Sequence, residues 1–264
     1  GVSAADIDLI LIATITPDMT FPTVACILQN RLGVENTAAL DISATCSGFL
    51  YGLSISDQYI KSGEYKTILL VGADTLSSIT DWKDRDTCVL FGDGAGAVVL
   101  SPGEDGRGIL GYYLGAVPGK LDILKIPAGG SRQPLTAKNI DQGLQYIKMD
   151  GGEVFKCAVH GMAKCIDKAL AKCGLTEKDI ALLIPHQANI RIIDALAKRL
   201  SLPREKVFVN LDRYGNTSSA SIPLALGDAL ATGRLNDGQI VLLSGFGGGM
   251  TWASWATFEL AKKN

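Results

Sequence analysis

The chain aligns with itself, and this internal repeat restricts the folds open to it more than any single motif does. "GVSAADIDLILIA", residues 1–13, matches "GLTEKDIALLIPH", residues 174–186, with Asp6 opposite Asp179, 173 residues further on. "KTILLVGA" from Lys66 matches "QIVLLSGF" from Gln239 at the same offset. All four segments contain a short apolar run of the kind that forms a buried strand. Between them, a helix ending at Gly63 corresponds to one ending at Gly233, an offset of 170 that sets Cys46 opposite Asn216. Two copies of one α/β unit are therefore predicted. Their equivalent strand ends point at a common centre, where α/β sheets build their sites. The second copy follows a strand region and a helix, Glu153 to Lys172, whereas nothing in the sequence precedes the first. The repeat leads us to expect that the first copy lacks an N-terminal strand and helices. The strand Ile7 to Ile12 should then be under-packed around Leu9 and Leu11, or covered from outside, with an unpaired sheet edge near residue 7.

Candidate reactive side chains fall at the strand ends. In "DISATCSGFLYGL", residues 41–53, the apolar stretch Thr37 to Ile42 reads as a strand, and Phe49, Leu50, Leu53 and Ile60 recur at helical spacing before Gly63. Cys46 sits at the junction. A helix N-terminus favours thiolate, which predicts a pKa below the usual value of about 8.5. Gly48 is expected to leave room for substrate, and the unpaired N–H groups of the first turn suit an oxyanion. The cysteines at 26, 46, 88, 157, 165 and 173 form no CxxC pair, so reduced thiols are expected, with no disulfide and no metal site, and the five besides Cys46 read as core filler. Two histidines are present. His160 lies on a helix whose apolar stripe runs Phe155, Val159, Met162, Ile166 and Leu170, and is expected to face water. His186, in "PHQAN", directly follows the apolar run Ile180 to Ile184 and is the one expected in a buried site, able to donate a hydrogen bond or exchange a proton.

"YGNTSSAS", residues 214–221, reads as a turn entering a helix of small residues. "GFGGGMTW", residues 245–252, follows a strand, and its glycines let backbone N–H groups approach a ligand, as half of an oxyanion hole would. "FGDGAGA", residues 91–97, lacks the Gly-Lys-Ser/Thr ending of a phosphate loop and leads into a strand, which argues against nucleotide hydrolysis and dinucleotide binding. With a net charge of −2 over 264 residues and no basic cluster, neither nucleic acid nor a membrane surface is an expected partner. Hydrophobic content of 47% against 20% charged residues suggests a large buried sheet or a dry interface, and a dimer is expected. The longest apolar runs fall short of the roughly 18 residues of a membrane helix, and a cytoplasmic protein is expected.

Taken together, "TCSGF", "FGDGAGA", "PHQAN", "YGNTSSAS" and "GFGGG" resemble, in order and along the whole chain, the β-ketoacyl-acyl-carrier-protein synthase III family of the thiolase superfamily. "PHQAN" with "GNTSSAS" separates this family from relatives that use two histidines. The resemblance implies an α/β, thiolase-like, five-layered αβαβα fold with two pseudo-repeated halves, residues 1–102 and 103–264, assembled as a homodimer. It implies a decarboxylating Claisen condensation of a short acyl-CoA primer with malonyl-acyl carrier protein to give 3-oxoacyl-acyl carrier protein, the step that initiates fatty acid biosynthesis, with coenzyme A as part of a substrate and no cofactor. Cys46 would be the nucleophile, His186 and Asn216 the donors to the enolate, and Cys46 and Gly248 the oxyanion-hole backbone. Phe21 would reach into the partner's acyl pocket, Arg85 would lie near the adenine, and Gly151, Phe155, Ala188, Asn189 and Phe246 would line the substrate tunnel. Lys156 and neighbouring cations at its mouth would meet the acidic carrier. The family's adenine-stacking tryptophan and the arginine beside it have no counterpart in this sequence. Two alternatives remain at this point: a Cys-His-Asn thioester hydrolase and a non-catalytic carrier-binding scaffold.

Overall fold

All positions of Leu9–Ala13 are buried, the pattern of a strand covered by helices on both faces. The computed structural model, which describes residues 1–103, 108–236 and 238–258, places this strand, β1, inside a four-stranded sheet. Its companions are β2 (Ala38–Ile42), β3 (Ile68–Thr75) and β4 (Asp93–Leu100), in the order β2-β1-β3-β4, with β4 antiparallel to β3 and the other pairs parallel. The chain continues into β5 (Gly108–Ala116) and a small ribbon of β6 (Leu124–Lys125) with β7 (Lys148–Met149). A second four-stranded sheet joins β5 to β8 (Leu182–Pro185), β9 (Ile240–Gly247) and β10 (Thr251–Phe258), in the order β5-β10-β9-β8. The helices are α1 (Val24–Leu32), α2 (Gly48–Ser62), α3 (Gly151–Cys173), α4 (Ile190–Arg199), α5 (Leu211–Tyr214) and α6 (Ser221–Ala231).

Alternation along the strands sorts their side chains into three apolar layers. Ile10, Ile12 and Val71 pack with Ala25 of α1 on one face of the first sheet. Leu11 and Leu70 point the other way, to meet Phe49, Leu50 and Leu53 of α2, Ile222 and Leu226 of α6, and Leu182, Ile184 and Leu243 of the second sheet. Leu183 and Leu242 face outward, under Met162 and Ile166 of α3 and Ile193 and Leu196 of α4. The result is the five-layered αβαβα arrangement: α1, sheet, α2 with α6, sheet, α3 with α4.

The repeat is visible in the register. Leu9 pairs with Ile68 and Leu182 with Val241, so both strand pairs keep the 173-residue offset. Ser3 and Asp6 form a capping box around one short turn, and Thr176 and Asp179 form its counterpart around another. The offset also holds where the sequence reading used 170. α2 is entered by a 3-10 turn over Thr45–Ser47 and α6 by one over Ser218–Ala220, so Cys46 stands opposite Ser219 and not opposite Asn216. The length difference lies in the helices themselves, 15 residues in α2 and 11 in α6.

The expected weakness around β1 is not found. Leu9, Ile10 and Leu11 are fully buried, and β1 is an interior strand enclosed by α1, α2 and two neighbours. The edges of this sheet are β2 and β4, and along β4 exposure alternates residue by residue. Two smaller expectations also change. Of the five cysteines besides Cys46, Cys165 is buried while Cys26, Cys88, Cys157 and Cys173 are half-buried, and all are free thiols. The buried stripe of α3 runs through Val154, Ala158, Met162, Cys165, Ile166, Ala169 and Leu170, rotated so that Phe155 lies outside it. No helix among the described residues is long and apolar enough to cross a membrane, and no group of His, Cys, Asp and Glu among them has the arrangement of a metal site.

Candidate active site

Two equivalent turns meet between the sheets, each lying against a strand of the other half. Thr45 and Ser218 open them, both with left-handed backbone, φ 48° and 50°. This conformation is costly for a residue with a side chain, more so for β-branched Thr, and persists where the surroundings enforce it. Thr45 Oγ1 donates to Gly248 O at 3.0 Å, and Ser47 Oγ donates to Thr251 O at 3.1 Å, so the cysteine turn is tied to the β9–β10 hairpin. Gly247 makes that approach feasible: a Cβ there would come within 2.9 Å of Cys46 N. Gly72 does the same for the other turn, where a Cβ would lie 2.8 Å from the carbonyl carbon of Ser219.

Asp74, 3% exposed at the end of β3, ties the two turns' surroundings together. Its Oδ2 accepts from Ser219 N at 3.1 Å and Ser219 Oγ at 2.8 Å. Its Oδ1 accepts from Ile15 N at 2.8 Å and from the hydroxyls of Thr14 and Thr16, both at 3.2 Å. The space beside Gly48 is taken by Ala13 and Ser219 side chains, 3.0 Å and 3.7 Å from where its Cβ would be, so this glycine serves packing between the halves and not substrate.

Cys46, His186 and Asn216 line one cavity of about 850 Å³, although 30 to 170 residues separate them along the chain. Gly151, Phe155, Ala188, Asn189 and Phe246 line the same cavity, as do Lys156 and Arg191. A second, largely apolar cavity of about 240 Å³ also reaches Cys46, with Ile15, Leu76, Ile126, Ile147, Ser218 and Gly248 in its wall. Cys46, Phe91 and Leu124 belong to both. The cysteine therefore stands where the larger cavity, called the tunnel below, adjoins the smaller apolar branch. Arg85 is exposed on the loop beside Asp86, which does line the tunnel, and Phe21 is 82% exposed and lines neither cavity.

The electrostatics of Cys46 run against the sequence expectation. Burial pushes its thiol up to about 12, outweighing the lowering influence of the neighbouring Ser218 side chain and of its own backbone N–H, while the negative charge of Asp74 adds to the rise. A helix terminus offers partial charge, but removal of water penalises the full charge of a thiolate more. Cys46 therefore rests as a thiol. His186, 3% exposed, is lowered to about 4 by burial and is neutral near pH 7. Its backbone N–H donates to Ser244 O at 2.7 Å, and its Nδ1 is hydrogen-bonded to Ser221 Oγ. His160 is exposed, as expected.

Asn216 is held by a segment whose purpose the sequence did not disclose. Asn216 N donates to Leu90 O and Gly92 N donates to Asn216 O, both at 2.9 Å, forming a bridge between "FGDGAGA" and "YGNTSSAS". The side-chain Oδ1 of Asn216 accepts from Ser218 N at 2.9 Å, which leaves its Nδ2 hydrogens for the cavity. At the tunnel mouth Lys156 is paired with Glu153 at 2.9 Å, and Lys120 holds the other carboxylate oxygen at the same distance, so Lys156 is not a free cation. Arg191, which the sequence reading did not single out, faces the same mouth one residue into α4, whose N-cap is Asn189.

The chain matches two family domains, "3-Oxoacyl-[acyl-carrier-protein (ACP)] synthase III" over residues 40–118 and its C-terminal partner over residues 170–257. It is 54% identical over 249 residues to a β-ketoacyl-[acyl-carrier-protein] synthase III of Caldanaerobacter subterraneus subsp. tengcongensis, covering 94% of this chain and 75% of that one. The crystal structure of 3-oxoacyl-[acyl-carrier-protein] synthase III from Aquifex aeolicus VF5 superposes with a TM-score of 0.88 at 45% identity, covering 96% of this chain and 78% of that one. That from Pseudomonas aeruginosa PAO1 gives 0.89 at 40% identity, covering 98% and 78%. With identity at this level across nearly its whole length, and the same fold around the site described above, the chain belongs to the β-ketoacyl-acyl-carrier-protein synthase III family.

Proposed function

We propose that the protein condenses an acyl group, delivered as its coenzyme A thioester, with malonyl-acyl carrier protein, releasing carbon dioxide and giving the 3-oxoacyl-carrier product that begins fatty acid synthesis. The observation that carries this reading is the junction at Cys46, where the tunnel lined by His186 and Asn216 adjoins an apolar branch suited to an acyl tail. Cys46 Sγ attacks the thioester carbonyl while backbone N–H groups of Cys46 and Gly248 hold the oxyanion. The carbonyl re-forms, the bond to coenzyme A sulfur breaks, and the thiol proton ends on that departing sulfur. Malonyl on its carrier then enters the tunnel and loses carbon dioxide. The enolate oxygen so formed accepts hydrogen bonds from His186 Nε2 and Asn216 Nδ2, its carbon attacks the acyl-cysteine, and Cys46 leaves as thiolate and regains a proton from solvent.

The same reading assigns residues 1–102 and 103–264 as two halves sharing one site, and a cytoplasmic homodimer as the working form. Support for the dimer is the 82% exposure of Phe21, a large apolar side chain that a second copy would bury. Arg85 lies beside the adenine of coenzyme A in this reading, Gly151, Phe155, Ala188, Asn189 and Phe246 flank the pantetheine arm, and Arg191 at the mouth meets phosphate or an acidic carrier. A papain-like hydrolase is not favoured. It needs the asparagine amide to orient the histidine ring, whereas here Nδ1 of His186 is bonded to Ser221 and the Asn216 amide oxygen to Ser218 N.

The test separates the half-reactions. Cys46→Ala should abolish acyl-enzyme formation, followed as an added acyl mass on the protein. His186→Ala and Asn216→Ala should still load acyl groups and lose malonyl decarboxylation by about 10²–10³-fold. Undiminished decarboxylation in both variants would refute the assignment.

A further inference from the structure

What His186 can do depends on which ring nitrogen carries the proton of its neutral form. Nδ1 meets the hydroxyl of Ser221, the first residue of α6, and the two residues are 3% and 2% exposed, so water does not mediate the contact. A serine hydroxyl has one hydrogen to give and two lone pairs. One lone pair of Ser221 Oγ receives the backbone N–H of Gln187 at 3.4 Å. Had Nδ1 the proton, Oγ would accept from two N–H groups, and its own hydrogen would be buried without an acceptor among the described residues. With the proton on Nε2, Oγ donates to Nδ1, both of these buried atoms are satisfied, and the Nε2–H is left to the cavity that His186 lines.

We propose that Ser221 is a positioning residue that fixes His186 as its Nε2–H tautomer, so that the imidazole faces the tunnel as a hydrogen-bond donor and not as a base. The inference rests on the condensing-enzyme reading and assigns the division of labour within it. Asn216 is fixed in the same sense, because its Oδ1 is held by Ser218 N and its NH₂ faces the tunnel. Two side chains locked as donors suit an enolate oxygen, which needs donors alone. They offer nothing to a thiol proton, so His186 does not deprotonate Cys46. The two locks come from one stretch, residues 216–221, in which Ser218 sets the amide and Ser221 sets the ring.

The tautomer can be read without any activity. The chain has two histidines and His160 is exposed, so His160→Gln leaves a single imidazole and should not alter turnover. In ¹⁵N-histidine-labelled protein of that variant near pH 7, we expect one protonated nitrogen assigned to Nε2 and one bare nitrogen assigned to Nδ1. An Nδ1–H ring, or an averaged mixture, overturns the proposal. Adding Ser221→Ala should convert the single pattern into a mixture and lower malonyl decarboxylation by about tenfold or more, with acyl loading of Cys46 changed by less than about threefold. Ser221→Thr, which keeps the hydroxyl, should restore the single pattern. An unchanged tautomer in Ser221→Ala overturns the role of Ser221. A chain with the Nε2–H ring but no condensation counts against the reaction assigned above and supports the tautomer, whereas an active chain with the Nδ1–H ring refutes the tautomer alone.

Discussion

Replacing Asp74 by asparagine exchanges one oxygen for an NH₂ group and leaves the side-chain shape unchanged. The native carboxylate accepts from Ile15 N, Thr14 Oγ1 and Thr16 Oγ1 on one oxygen and from Ser219 N and Oγ on the other, linking loop and turn across 145 residues of sequence. An amide can serve one of these sets. With its oxygen toward Ile15, the NH₂ faces the N–H of Ser219, and two donors oppose each other in a place where Ser219 is 1% exposed. The Ser219 hydroxyl can still turn to Ala13 O, 2.8 Å away, but the backbone N–H has no second acceptor among the described residues. Losing one charge-assisted bond and leaving a buried donor unpaired costs about 3–5 kcal/mol together. For a chain of this size that lowers the unfolding midpoint by roughly 6–20 °C, measured by circular dichroism. The same change should act oppositely on Cys46. Because the charge of Asp74 raises the thiol pKa, its removal favours thiolate, and iodoacetamide should alkylate Cys46 faster at fixed pH, by up to about tenfold per unit of pKa. Peptide mapping distinguishes Cys46 from the other thiols. A midpoint within about 1 °C of the parent, or slower alkylation of Cys46, would show that Asp74 does not connect these parts as described.

Gly247→Ala should displace the cysteine turn, since its Cβ would overlap Thr45 Oγ1 and approach Cys46 N to 2.9 Å; acyl-enzyme formation, followed by intact mass, should fall at least about tenfold. Burial of His186 makes stability depend on pH: the unfolded chain takes up a proton near pH 6.5 and the folded one near pH 4, so stability should fall on acidification across that window, by about 3 kcal/mol in all. His186→Gln should flatten that part of the urea-unfolding profile, and an unchanged slope would contradict the assignment. The apolar branch of about 240 Å³ exceeds the roughly 150 Å³ that holds a benzene ring, so primers of about four to eight carbons should load faster than acetyl in an acyl-CoA panel, and an acetyl preference would refute this.

By itself the sequence determined the repeat, its 173-residue offset, the strands that carry it, the helices α2 and α3, and Cys46 and His186 as side chains at strand ends, whereas Asn216 follows from the family motif and not from the 170 offset, which the structure replaces by 173. These are legible because strand and helix periodicity is local, and because a strand end fixes where its next residue points. What it did not determine depends on which surfaces land on each other. The sheet edges fall at β2 and β4 and not near residue 7, because β1 takes β2 and β3 as neighbours. Cys46 stands opposite Ser219 because the turns before α2 and α6 correspond, although the helices differ in length. Asp74 and Ser221 look ordinary in sequence, and their roles arise from partners 145 and 35 residues away. The sign of the Cys46 shift shows the same limit most clearly. A helix start is readable from neighbouring residues and argues for thiolate. The burial that pushes the thiol up to about 12 is created when two halves close over it, and desolvation is a property of the assembled fold that no local pattern carries.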